Sequence, residues 1–140
     1  EIGGFVREVM WDGIDCHRCR MLGYIACSWD DTDLRFIHLR PEGSSQHHVL
    51  VGRMRHGYGQ YFMGTSLIYL VASALVRIAE KPALLGSLAM IWGWIRSAIQ
   101  FKPRYDDVNF RKFLRKYQYA ALLIGKKRAI DRINKSHTFR

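Results

Sequence analysis

Two long apolar runs separated by a proline most constrain how this chain can fold. Residues 62–76 contain no charge over fifteen positions, residues 83–99 contain only Arg96 over seventeen, and Pro82 lies between the two runs. Neither run reaches the roughly 20 residues that a helix needs to cross a bilayer core of about 30 Å. We therefore expect a helical hairpin lying in a membrane interface, with two buried helices packed on each other as the alternative.

The charges are divided unevenly between the two halves of the chain. Residues 1–64 carry seven Arg, no Lys and eight acidic residues, a net charge of −1. Residues 65–140 carry fifteen Lys and Arg against four acidic residues, a net charge of +11. So basic a segment favours an anionic partner, such as a lipid surface, nucleic acid or a phosphorylated substrate.

The residues near the C-terminus predict a basic amphipathic helix. Its apolar face repeats at helical spacing and consists of Phe110, Phe113, Leu114, Tyr117, Ala121 and Ile124. Lysines and arginines surround this face, a pattern typical of membrane-surface helices, although a simple solvated face is the alternative. Because the aromatic residues lie within apolar runs, lipid is favoured over nucleic acid, and no nucleic-acid partner is expected.

The first half has an α/β pattern. A turn is predicted at residues 11–13, a short helix over residues 14–22, and Gly23 just past the end of that helix. Residues 24–29 and 34–39 have the composition of strands. Since this half is too small to bury a sheet by itself, we expect residues 1–60 to finish a larger α/β domain. Residues 61–140 would form an all-helical, membrane-associated tail.

Two acidic residues at the start of the predicted helix are the first candidates for chemistry. Asp12 and Asp15 are three positions apart, so in a helix they would share one face. Asp12 could cap the helix through its carboxylate. It could also act as a general base at the helix N-terminus, taking a proton from a hydroxyl held within hydrogen-bond reach. The spacing alone leaves both interpretations open.

The cysteines and histidines give weaker signals. Cys16 and Cys19 form one CxxC with no second pair, so a closed zinc site is not expected and the thiols are predicted to be buried. His38 ends a predicted strand. A metal or phosphate ligand and a simple hydrogen-bonded histidine both fit that position.

Together these motifs resemble the inverting family 2 glycosyltransferases. In that family a Gly-Gly-Phe loop precedes the catalytic Asp, a Cys-x-Arg-x-Arg segment and a Gly-Tyr pair. The matching residues here are Gly3, Gly4, Phe5, Asp12, Cys16, Arg18, Arg20, Gly23 and Tyr24. The stretch from His38 through Arg40 to Ser45 is similar to the family's His-x-Arg and Ser-rich loop, and the later apolar, Trp-containing stretches look like membrane-associated bacterial members that build surface polysaccharides.

The resemblance implies transfer of a sugar, with inversion, from a nucleotide-sugar donor to a hydroxyl of a glycan or lipid-linked acceptor. It also implies a GT-A type α/β domain at the cytoplasmic face of the bacterial inner membrane, on an anionic surface. Asp12 would be the base, Trp11 and Asp15 would contact substrate, and His38 would help to hold a divalent metal, Mg or Mn. The residues expected to bind the diphosphate or an anionic acceptor are Arg40, Arg53 and Arg55.

The chain departs from the family pattern in several places. Trp11 stands where the family usually has Glu, and Ile14 where it often has a second acid. Residues 52–56 keep one Arg of the Gln-x-x-Arg-Trp motif, so processive polymer synthesis is not expected. No Asp-x-Asp precedes Asp12, so the nucleotide-binding half is expected to lie before Glu1 and this piece alone to be inactive. The alternative function is a non-catalytic basic module that binds anionic membrane or nucleic acid.

Overall fold

The structure, a computed structural model, describes residues 3–26, 48–76 and 83–138, together with Asp33 and Ile37. Over these residues the chain forms helices and no strand, so the predicted α/β class is wrong for the described part of the chain. The helices are α1 (Trp11–Met21), α2 (Val49–Met63), α3 (Leu67–Val76), α4 (Ala83–Ile99), α5 (Val108–Ile124) and α6 (Lys126–Thr138).

The way α1 ends explains why no strand begins at Tyr24. Gly23 adopts a left-handed φ of 87°. The N–H of Gly23 donates to the carbonyl of Arg20 at 3.2 Å, and that of Tyr24 to the carbonyl of Cys19 at 2.9 Å. This pair of bonds is a Schellman motif, and it uses the Tyr24 amide that a strand ladder would need. Residues 24–26 have no regular structure, and residues 27–29 lie outside the described part of the chain, as does the second predicted strand apart from Ile37.

The helix α1 begins earlier than predicted. The Ile14 N–H donates to the carbonyl of Met10 at 2.9 Å, which draws Trp11, Asp12 and Gly13 into the first helical turn. The predicted turn at residues 11–13 is therefore wrong. Met10 is the N-cap, with φ 71° and no capping side chain, so Asp12 is not the cap. The early start lets Ile14 be fully buried.

The main core lies between α1, the end of α2, α5 and α6. Its buried residues are Ile14, Met63, Phe110, Leu114, Tyr117, Ala121 and Ala129. The helix predicted from the apolar repeat is confirmed as α5, and its N-cap Asp107 accepts a hydrogen bond from the Phe110 N–H at 2.8 Å. Most of the apolar face of α5 packs inside the protein instead of meeting a surface.

The two apolar runs form α3, α4 and the end of α2. The second run coincides with α4, whereas the first is divided at Gly64, whose left-handed φ of 92° ends α2. Leu70 and Ala74 of α3 pack with Met90 of α4 in a second, smaller core. Among the helices described, none is long and apolar enough to cross a membrane.

Buried polar contacts fasten the break between α2 and α3 to the rest of the fold. The Ser66 N–H donates to Gln118 Oε1 at 3.0 Å, and Gln118 Nε2 donates to Thr65 Oγ1 at 3.2 Å. The indole N–H of Trp94 donates to the Thr65 carbonyl at 3.1 Å. Gln118 is only 1% exposed, so these bonds satisfy polar groups that water cannot reach.

Candidate functional site

The Gly-Gly loop and α1 are held together by Arg18. Its Nη1 donates to the carbonyl oxygen of Gly4 at 2.9 Å. Gly3 and Gly4 have left-handed φ angles of 84° and 74°, and a Cβ at Gly3 would overlap the Arg18 guanidinium. The left-handed backbone angle therefore favours glycine at position 3, and a Cβ there would displace the Arg18 guanidinium from its present place. Gly4 and Arg18, fourteen positions apart in the motif, are thus in direct contact.

Two of the predicted substrate-binding residues line the same cavity. Trp11, at the start of α1, and Arg55, on α2, border a surface cavity of about 410 Å³ together with residues 6–10. The Trp11 ring is half exposed and packs edge-on against Phe5, with the ring centroids 5.1 Å apart. An exposed indole held by a second aromatic ring and an exposed guanidinium beside it can together receive a polar, partly anionic ligand.

Asp12 follows Trp11 in the first turn of α1 and has an exposed side chain, but it is not among the residues that line the cavity. Its carboxylate is therefore accessible to a hydroxyl group arriving from solvent. Tyr58, one turn along α2 from Arg55, carries a phenol whose pKa is raised by partial burial and by the neighbouring Glu8 carboxylate, to which it is hydrogen bonded. Glu8 also lines the cavity, so acidic and basic groups both border it.

Asp15 differs from Asp12 in that its side chain is buried. Asp15 is 7% exposed, and its Oδ1 lies 3.7 Å from Arg18 Nη1. Neither carboxylate oxygen accepts a hydrogen bond from the part of the chain that the structure describes. Although three residues apart on one helix, the two acids do not share an exposed face. Asp15 instead lies near the same Arg18 Nη1 that donates to Gly4.

The other predicted site residues do not join this group. Arg53 is half-buried on α2, and its Nε makes no hydrogen bond to any described residue. Arg40 and His38 lie outside the described residues. Across residues 3–26, 48–76 and 83–138 no three His, Cys, Asp or Glu side chains come together as a metal site. The described residues therefore do not supply the ligand set that an Mg or Mn ion needs.

The CxxC cysteines are only partly as predicted. Cys19 is half-buried, but Cys16 is exposed, so the prediction that both thiols are buried is wrong for Cys16. The reason is the helical register. With Ile14 buried, Cys16, two positions later in the helix, lies on the solvent side of α1.

Sequence reasoning missed His17 as a member of the core interface. Its ring centroid lies 4.8 Å from that of Tyr117 and 6.5 Å from that of Phe110. Burial, and secondarily the charge of Arg20, lower the pKa of His17 from 6.5 to about 4. The imidazole is therefore neutral near pH 7. Its position three residues after Ile14, on the apolar face of α1, is the signal that could have revealed it.

Comparison with known proteins finds no matching family model, no matching curated protein and no matching solved structure.

Proposed function

We propose that this chain provides the acceptor-side part of an inverting glycosyltransferase that acts in cell-surface polysaccharide or glycan synthesis. The observation that carries the proposal is the exposed Asp12 carboxylate in the first turn of α1, directly after Trp11, which borders the cavity together with Arg55. The contact of Arg18 with Gly4 supports it, because it gives a physical reason for the Gly-Gly and Arg elements of the motif.

In the proposed reaction Asp12 accepts the proton of an acceptor hydroxyl, and that oxygen forms a bond to the anomeric carbon of the donor sugar. The bond from this carbon to the nucleotide diphosphate breaks, and the diphosphate leaves with the electron pair. Attack from the face opposite the leaving group inverts the anomeric configuration. The base requires only an accessible carboxylate within hydrogen-bond reach of the hydroxyl.

Trp11 and Arg55 position the acceptor in this proposal. The exposed face of the Trp11 indole offers an apolar platform to a sugar ring, and the Arg55 guanidinium can form paired hydrogen bonds to an acidic group. The nucleotide sugar itself is bound by residues outside the described site, among which we place Arg40, with Arg53 as a further diphosphate contact.

The test uses the full-length protein that contains this chain, incubated with a panel of nucleotide sugars and acceptors while release of nucleoside diphosphate is followed. Asp12→Asn keeps the size of the side chain but removes its basicity, and should lower turnover by about 10²–10⁴-fold. Asp106→Asn, a change at another exposed aspartate that does not line the cavity, is the matched control and should leave turnover unchanged. Wild-type turnover in Asp12→Asn would refute the proposal, as would a product with retained anomeric configuration.

A second candidate function, binding to an anionic membrane surface, is favoured by the outer face of α4. Large apolar residues stay exposed on the side opposite the contact with α2: Leu84, Leu85, Leu88, Trp92 and Ile99. Arg96 lies on the same side, and Trp prefers the depth of the lipid headgroups. A helix with an exposed apolar face beside cationic residues suits an interface at the cytoplasmic face of a bacterial inner membrane.

Flotation with vesicles that contain anionic phospholipid tests this surface. Leu85→Ser with Leu88→Ser should reduce the bound fraction at least tenfold, since each buried leucine contributes about 1.5–3 kcal/mol. Leu122→Ser with Leu123→Ser removes two other exposed leucines, from α5, and should leave flotation unchanged. Equal flotation of both double variants would contradict the assignment. Tight binding to an oligonucleotide at the same salt would favour the nucleic-acid alternative.

A further inference from the structure

The helices α5 and α6 form an antiparallel hairpin joined by a single glycine. Gly125, with φ 86°, is the one residue between Ile124 and Lys126. The two helices border a cavity of about 380 Å³, which is lined on α5 by residues from Phe113 to Ala120 and on α6 by residues from Ala129 to Ser136. The cavity therefore extends along the hairpin.

The walls of this cavity are apolar. They are formed by Phe113, Tyr117, Ala120, Ala129 and Ile133. The two alanines are small, and they leave open the space that larger side chains would fill at the narrow end of the hairpin. At the roughly 30 Å³ that a water-sized group occupies in a liquid, the volume holds about a dozen such groups. A space of this kind accommodates an apolar chain better than it accommodates water.

Two cations border the same cavity. Lys116 on α5 and Arg132 on α6 are exposed, whereas the apolar wall residues are buried or half-buried, so the charges lie at the solvent side. Residues 108–138 carry nine Lys and Arg and one acidic residue, Asp131, which does not line the cavity. The charge of this region is complementary to an anionic head group.

We propose that the cavity between α5 and α6 binds one amphiphile with a single apolar chain and an anionic head. The chain lies along the apolar walls, and the head group is held by Lys116 and Arg132. A carboxylate head or a phosphate head supplies the required charge. This binding does not depend on sugar transfer, so the proposed function and this site can fail separately.

Binding of a homologous series of single-chain alkyl phosphates and fatty acids, below their micelle concentrations, tests the site by calorimetry. Lengthening the chain should tighten binding by about fourfold per methylene until the cavity is full. A neutral alcohol of the same length should bind at least tenfold more weakly than the anions. The preference between phosphate and carboxylate then identifies the head group. Equal binding of the alcohol, or no dependence on chain length, would overturn the proposal.

Matched variants locate the site. Lys116→Ala with Arg132→Ala should weaken binding at least tenfold. Lys112→Ala with Arg128→Ala removes the same charge from exposed positions on the same two helices outside the cavity, and should change binding less than threefold. Ala120→Phe should block the chain while leaving the helical circular dichroism intact. If the two double variants weaken binding equally, the affinity reflects net charge and not this cavity.

Discussion

Replacing Gly57 or Gly93 by alanine should destabilise the fold, because α2 and α4 touch there backbone to backbone. A Cβ at Gly57 would overlap the carbonyl group of Met90, and a Cβ at Gly93 would overlap that of Met54. Both separations fall below 3.0 Å, which real Cβ contacts essentially never show. A peptide carbonyl cannot rotate away as a side chain can, so the two helices would have to move apart.

The size of the loss follows from that movement. A separation of about 1 Å forfeits roughly a quarter to a half of each atom-pair contact, each worth ~0.1–0.2 kcal/mol. Over on the order of 50 pairs, as many as one buried side chain makes, the loss is about 3 kcal/mol. Alanine's better helix propensity returns up to about 1 kcal/mol, so each variant should lose about 2 kcal/mol. One separation relieves both overlaps, so the double variant should lose less than the sum.

Urea unfolding followed by far-ultraviolet circular dichroism measures the effect. Gly13→Ala is the matched control, because a Cβ there would meet Met10 Cε at 3.5 Å and Met63 Sδ at 3.6 Å, both ordinary contacts. The control should be neutral or more stable by up to about 1 kcal/mol. If the Gly57 and Gly93 variants unfold at the same urea concentration as the control, the close crossing of α2 and α4 is refuted.

Two further predictions concern buried polar groups. Because the folded pKa of His17 is depressed from 6.5 to about 4, the unfolded chain takes up a proton first as the pH falls. Stability should therefore drop by roughly 2–3 kcal/mol between about pH 7.5 and 4.5, and His17→Phe should remove that part of the pH dependence of urea unfolding. Gln118→Leu leaves the Ser66 N–H and the Thr65 hydroxyl without their bonds to this side chain, and should lower the free energy of unfolding by about 2–3 kcal/mol. The exposed Gln100→Leu should change it by less than about 0.5 kcal/mol.

The sequence pattern predicted those features of the helices that depend on residues close together in the chain. The bounds of α4, the helical face of α5 and the stop of α1 at Gly23 all follow from apolar spacing or from a left-handed glycine. Of the strand expected over residues 24–29, the described residues 24–26 are irregular, and the Tyr24 amide bonds back to the carbonyl of Cys19, a competition that β-propensity does not register. The packing of α5 against α1 also could not be predicted, because an amphipathic face does not specify its partner.

In the candidate site, too, the sequence pointed to local motifs but not to contacts between distant parts of the chain. The family resemblance made Asp12 and the Gly-Gly loop candidates, and their roles stay predictions. It could not predict that Trp11 would border a cavity with Arg55, forty-four positions away, because that depends on how α2 packs beside the N-terminal loop. Spacing also did not predict that Asp12 is exposed whereas Asp15 is buried. Asp15 is buried beside Arg18, and burial of this kind depends on the tertiary packing around α1, which spacing does not encode.

The most direct test of the account compares turnover of Asp12→Asn with that of the wild-type full-length protein at saturating donor and acceptor. Asp12 is exposed, so the substitution should leave the urea midpoint nearly unchanged. We expect nucleoside diphosphate release to fall at least 100-fold, the lower limit for losing a general base. Turnover within about threefold of wild type, in a protein of unchanged stability, would show that the carboxylate at the start of α1 is not the base.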